Sequence, residues 1–197
     1  MRVMFPMITT LEEIRKVRAM VRRACQQLKD EKKPCVEIPV GMMLEVPAAA
    51  ISINDMLPHV DFVSIGSNDL VQYLMAADRD NPKVAHLCEP FSPALLKLLN
   101  HIIKACNQRG TPVTLCGEMA GRPRCVLPLF GMGLRHFSMS PAFVPSIKEL
   151  VRSIDRPTAH TIAKQVLRMR TTSEIKDYLT EQIRKLCPNV AMFDTIQ

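Results

Sequence analysis

The chain has 197 residues, 47% of them apolar and 23% charged, with a net charge of +7; this is enough to bury a core and excludes an intrinsically disordered chain. No apolar run approaches the roughly 18 residues of a membrane-spanning helix, and the opening MRVMFPMITT lacks the apolar core and cleavage site of a secretory leader. The basic excess falls in residues 1–33 and 143–197 and there is no tryptophan, which reads as solvated helix faces rather than a nucleic-acid-binding surface.

In chain order, residues 3–8 predict a short strand broken by Pro6. Thr10 and Glu13 form a T-x-x-E capping box, after which Leu11, Ile14, Val17, Met20, Val21, Ala24 and Leu28 recur at helical spacing. The charged stretch KDEKKP leads to a second strand, 38–46, stopped by Pro47. Residues 48–57 predict a helix of small residues, and 60–65 a third strand. A helical pattern then runs to Arg79. Ser92 as N-cap and Pro93 at the first helical position open the next helix. Its apolar face is Leu95, Leu96, Leu99, Ile102, Ile103 and Cys106, and Gly110 closes it. Residues 112–116 are a fourth strand, 123–130 a helix or turn, and 136–140 a fifth strand. A capping box from Thr171 to Glu174 starts the last helix, with Ile175, Leu179, Ile183 and Leu186 on one face. The seven cysteines (25, 35, 88, 106, 116, 125 and 187) are odd in number and scattered. They argue against a disulfide framework or a zinc ribbon, and for a reducing, cytoplasmic setting.

Strand and helix alternate, and the strands are continuously apolar, as in an α/β parallel sheet covered by helices. An open doubly wound sheet and part of a (β/α)8 barrel both fit. In either, chemistry gathers at the carboxyl ends of the strands. There the strands present Glu45, the corner Gly66-Ser67-Asn68-Asp69, and Cys116-Gly117-Glu118. Glu45 and Asp69 come from adjacent strands and suit Mg²⁺, or each caps the helix that follows. Gly66 and Ser67 offer backbone N–H groups to an anion, and Asn68 adds an amide donor. The Arg79 fork suits phosphate or carboxylate, or pairs with Asp78 or Asp80. Cys116 is an inert core thiol, or, on the rim, a proton donor or nucleophile. Glu118 reads as structural support.

The stretch DFVSIGSNDLVQYLMAADR, residues 61–79, closely resembles the second signature of the phosphoenolpyruvate (PEP)-utilising enzymes, which ends in arginine. MFPMI (4–8), GMMLEVPAAA (41–50), CGEMAG (116–121) and GMGLRHFSMS (131–140) extend the resemblance. They look most like the enzyme I branch of that family, from the bacterial phosphoenolpyruvate:sugar phosphotransferase system or its nitrogen-regulatory form, and less like pyruvate phosphate dikinase or PEP synthase. The resemblance implies the C-terminal five-strand portion of a PEP-binding (β/α)8 TIM barrel over 1–155, and a C-terminal helical tail over 156–197. It implies Glu45 and Asp69 as Mg²⁺ ligands, Asn68, Asp69 and Arg79 as PEP contacts, and Cys116 as the general acid. The activity it implies is transfer of the PEP phosphoryl group to a histidine on another domain and then to a phosphocarrier protein, releasing pyruvate, by a homodimer. The family's Gly-Gly-x-x-Ser-His-like segment is absent, and two of its PEP-holding arginines belong to strands that would precede residue 1. The expectation is a C-terminal part of such an enzyme, catalytically incomplete by itself, or a non-catalytic Mg²⁺-binding and dimerisation module.

Overall fold

Five short strands, β1 (Val3–Phe5), β2 (Val40–Leu44), β3 (Phe62–Gly66), β4 (Val113–Cys116) and β5 (His136–Phe137), form one parallel sheet in the computed structural model, which describes residues 1–190. Their order in the sheet is their order in the chain. A doubly wound sheet reverses its strand order partway. A sheet that always steps to the next neighbour in the same sense is an arc of a barrel, so the barrel alternative is the one realised. Residues 191–197 of the expected tail lie outside the described residues.

The strands are shorter than the apolar runs predict. Pro6 has no N–H to give a ladder, and β1 stops before it. The fifth run yields only two paired residues, because the chain turns into a 3₁₀ segment at Pro141–Phe143. Between the strands run α1 (Leu11–Asp30), α2 (Pro47–Ile51), α3 (Ile53–Met56), α4 (Ser67–Met75), α5 (Pro93–Arg109) and α6 (Pro123–Gly131). The helices α7 (Val144–Arg152), α8 (Arg156–Val166) and α9 (Thr172–Leu186) follow the sheet. The single helix expected over 48–57 is two, because Ser52 leaves helical geometry with ψ of 20°. No helix among the described residues is long and apolar enough to cross a membrane.

At the sheet the core is a row across three strands against one helix, and the same cluster continues through α6 to α9. Leu44 aligns with Ile65 and Ile65 with Leu115, and Leu95, Leu96, Leu99, Ile102 and Ile103 of α5 close over them, all buried. Each such side chain contributes about 1.5–3 kcal/mol on leaving water. The helical spacing of α5 therefore read correctly. Gly110 closes it in a left-handed conformation, φ 71°, whereas Ser92 makes no side-chain cap and turns its hydroxyl to Met75 Sδ instead. The apolar stripe of α1 misled. Only Ile14 is buried, while Met20 is 63% exposed, because α1 follows the edge strand β1 and has little to pack against.

The cysteine reading needs one correction. Cys25 on α1 and Cys35 in the following connection form a disulfide, with Cα atoms 5.8 Å apart. Lys32, in the left-handed region at φ 58°, reverses the chain, and Lys33 N–H closes the turn on Leu28 C=O at 2.8 Å.

Two outcomes follow from local packing. Helix α8 crosses α6 so closely that a Cβ on Gly131 would lie 2.0 Å from the Ala159 carbonyl oxygen. Gly131→Ala must push the helices apart and is expected to cost about 1–3 kcal/mol, read as a lower thermal midpoint. Both capping boxes form as the sequence predicts. In the second, N–H groups of Arg170 and Thr171 donate to Glu174 Oε2 at 3.0 and 3.1 Å. These bonds hold its carboxyl below the ordinary glutamate range. A depressed folded value stabilises above the unfolded pKa, and the gain is lost as pH falls through the folded value. The thermal midpoint of the native chain should therefore exceed that of Glu174→Gln at neutral pH, and the difference should close below about pH 4.

Candidate functional site

The residues that end the strands converge on one rim. Glu45 follows β2 directly and is only 3% exposed. Its Oε1 accepts the Met7 backbone N–H at 2.7 Å, which the left-handed turn at Met7, φ 55°, aims at it. Its Oε2 lies against Gly66, where a Cβ would sit 2.7 Å away. This is why the residue ending β3 is glycine. Oε2 has no hydrogen-bond partner, yet no buried side-chain oxygen is orphaned among the described residues, so it opens onto the rim. Among the described residues the carboxylate has one donor and no cationic partner, so its charge is open to a bound cation.

Helix α4 starts at Ser67 with no side chain capping its first turn, so its leading N–H groups remain available to an anion. Asp69 lies in that turn. Ala76, in the left-handed region at φ 50°, ends the helix short of the expected Arg79. The turn brings Arg79 back, its N–H held by Gln72 Oε1 at 3.2 Å. The guanidinium then stands 3.9 Å from Asp69 Oδ1, both side chains about two-fifths exposed. Arg79 thus pairs with Asp69, not with Asp78 or Asp80.

The β3 and β4 corners are joined by two hydrogen bonds. Ser67 Oγ donates to the Cys116 carbonyl at 2.7 Å, and the Glu118 N–H donates to Asn68 Oδ1 at 3.1 Å. The second bond fixes the amide orientation and leaves Asn68 Nδ2 as a donor. Gly117 lies between, at φ 95°, where a Cβ would meet Ser67 Oγ at 2.5 Å. The Glu118 carboxylate is two-thirds exposed and pairs with Arg122 one turn on, at 3.1 Å. Cys116 is half-buried, and its Sγ lies 3.3 Å from the Ile65 carbonyl and receives the Ser64 hydroxyl at 3.5 Å. Beside this corner is a cavity of about 120 Å³ lined by Ser67, Asn68, Glu118 and Arg122 among others.

Asn68, Asp69, Arg79 and Cys116 therefore share one corner, with Glu45 on the adjoining strand end. Ser64 and the hydroxyl of Ser67 are additions to the sequence reading, which takes Ser67 only for its backbone N–H. The available signal was a hydroxyl inside or directly after an apolar strand, at positions that prove 8% and 1% exposed. Among the described residues no three His, Cys, Asp or Glu side chains gather to hold a metal. A cation on Glu45 and Asp69 would complete its shell with water and substrate oxygens, the habit of Mg²⁺.

Comparison with known proteins identifies the family. Among curated relatives, the phosphoenolpyruvate-protein phosphotransferase of Buchnera aphidicola subsp. Schizaphis graminum is 42% identical over 92% of this chain and 32% of its own. That of Haemophilus influenzae is 41% identical over 91% and 31%, and that of Bacillus subtilis 36% over 93% and 32%. The chain spans about a third of the length of the curated relatives it matches. Solved structures share the fold at low identity. A citrate lyase from Burkholderia xenovorans LB400 superposes with TM-score 0.56 at 17% identity over 97% of this chain and 67% of its own. A pyruvate kinase from Cryptosporidium parvum gives 0.56 at 12% over 85% and 36%. The family model described as "PEP-utilising enzyme, PEP-binding domain" matches residues 1–156, so the chain belongs to the PEP-utilising enzymes and carries their PEP-binding domain.

Proposed function

We propose that this chain is the PEP-binding part of a PEP–protein phosphotransferase, in which Glu45 and Asp69 hold Mg²⁺ while Asn68, Asp69 and Arg79 position PEP. The observation that carries this reading is the single corner on which an uncapped helix N-terminus, the Asn68 amide, the Asp69–Arg79 pair and the Cys116 thiol meet. Mg²⁺, when bound, supplies positive charge to the phosphate and enol oxygens. The first N–H groups of α4 and the Arg79 fork face the same anionic group. As the bridging P–O bond breaks, the phosphoryl group passes to a histidine nitrogen on another domain, and the electron pair stays on the enol oxygen. Cys116 then delivers its S–H proton to C3, giving pyruvate. The Ser64 hydroxyl, directed at Sγ, steadies the thiolate left behind until solvent restores its proton.

In the same reading the histidine passes its phosphoryl group to a phosphocarrier protein. Residues 1–155 form the barrel portion, the tail from 156 packs on it through α8, and two copies associate in the cytoplasm. The test is PEP affinity, measured by calorimetry with Mg²⁺ present. Arg79→Ala should weaken it about 10–100-fold, the loss of a charge-assisted contact. Unchanged affinity would remove Arg79 from the site.

A further inference from the structure

We propose that the Cys25–Cys35 pair is a reversible thiol–disulfide exchange site that accepts small anionic thiols of the glutathione class. This is independent of the PEP site. Three observations carry it. Both sulfurs lie outside the hydrophobic core, in contrast to the buried Cys106, Cys125 and Cys187. The bond borders a groove of about 500 Å³ whose charged lining is Arg18, Arg22, Lys29 and Glu37. Arg18 is committed to Asp61 at 3.3 Å, while Arg22 and Lys29 have no ion-pair partner among the described residues. The groove therefore offers two uncommitted cations against one carboxylate beside a disulfide that solvent can reach, a setting that draws anionic reagents.

The exchange is balanced. The thiolate of a glutathione-type tripeptide attacks one sulfur, the S–S bond breaks, and the electron pair leaves on the other sulfur, which takes a proton from water. A second such thiolate attacks the mixed disulfide, freeing the remaining protein thiol and the oxidised tripeptide dimer. The protein is reduced by two electrons and the tripeptide pair is oxidised by two. Reduction leaves the fold intact, because other bonds anchor both ends of the connection. Val40 N–H donates to Asp61 Oδ2 at 2.7 Å, Val3 N–H to Pro39 C=O at 3.0 Å, and Arg18 to His59 C=O at 3.1 Å. What is released is the exposed connection 31–39, which leads into β2, the strand directly before Glu45.

The test equilibrates the whole chain with mixtures of reduced and oxidised glutathione, alkylates free thiols, and counts them peptide by peptide by mass spectrometry, with circular dichroism reporting the fold. Cys25 and Cys35 should open and close together, their oxidised fraction following the ratio of oxidised to squared reduced glutathione, while the dichroism stays constant. The double variant R22E/K29E should slow reduction by glutathione about 10-fold and leave reduction by an uncharged phosphine, which attacks as a neutral nucleophile, within about twofold of the native rate. The proposal is overturned if the bond persists in the folded chain at millimolar reduced glutathione. It is equally overturned if no bond forms under oxidised glutathione, if reduction unfolds the chain, or if charge reversal slows both reagents alike or neither.

Discussion

Cys116→Ala is expected to lower pyruvate formation from PEP by about 10²–10⁴-fold, the contribution of a positioned proton donor, and to leave PEP affinity nearly unchanged. The rate is read in an assembly that supplies the histidine-bearing domain and the phosphocarrier protein. The geometry behind this is specific to one thiol. Cys116 Sγ stands at the carboxyl end of β4, half-buried, in contact with Ser64 Oγ and the Ile65 carbonyl. Cys106 is sealed in the core, where burial pushes its thiol up to about 12, and cannot substitute. Exchange of pyruvate methyl protons with deuterated solvent, followed by proton NMR, isolates the step. It should vanish in Cys116→Ala and be slowed in Ser64→Ala. Undiminished exchange without Cys116 would assign the proton to another donor.

Glu45→Gln is expected to remove metal-induced stabilisation without weakening the metal-free fold. Glutamine keeps an oxygen to accept the Met7 N–H, so the 2.7 Å contact survives. Among the described residues Glu45 has no cationic partner, so removing its charge leaves no counter-charge unpaired. With the native chain, Mg²⁺ at a hundred times its Kd should stabilise by about 2.7 kcal/mol, or about 5–10 °C in a domain of this size. In Glu45→Gln that rise should disappear. If Glu45 served only to hold Met7, Mg²⁺ would raise both midpoints equally.

Much of this was legible in the sequence, and the parts that were not share a cause. The strand–helix alternation, the α5 face and both capping boxes are local patterns, and they formed as read. Residues 66–69 and Arg79 were legible as a motif, and the structure adds the means by which they meet: the left-handed Ala76 and the Gln72 side chain turn the chain back. Ser64 and the hydroxyl contact of Ser67 were not legible, because their partners lie on β4, about fifty residues on, and only strand register brings them together. The Cys25–Cys35 bond likewise depends on the reversal at Lys32, a lysine in a conformation its type does not advertise. The stripe on α1 misled for the opposite reason. Its helical period was real, but burial depends on what lies opposite, and α1 follows an edge strand.

The most direct test of the PEP site uses a thiol already present in this chain. Treatment with iodoacetamide, followed by peptide mass spectrometry, gives a labelling rate for Cys116, which is partly exposed. With Mg²⁺ and PEP together, Cys116 should be protected, with neither component alone sufficient and the protection absent in Asp69→Asn. Equal labelling of Cys116 with and without Mg²⁺ and PEP would contradict a binding site built on this corner.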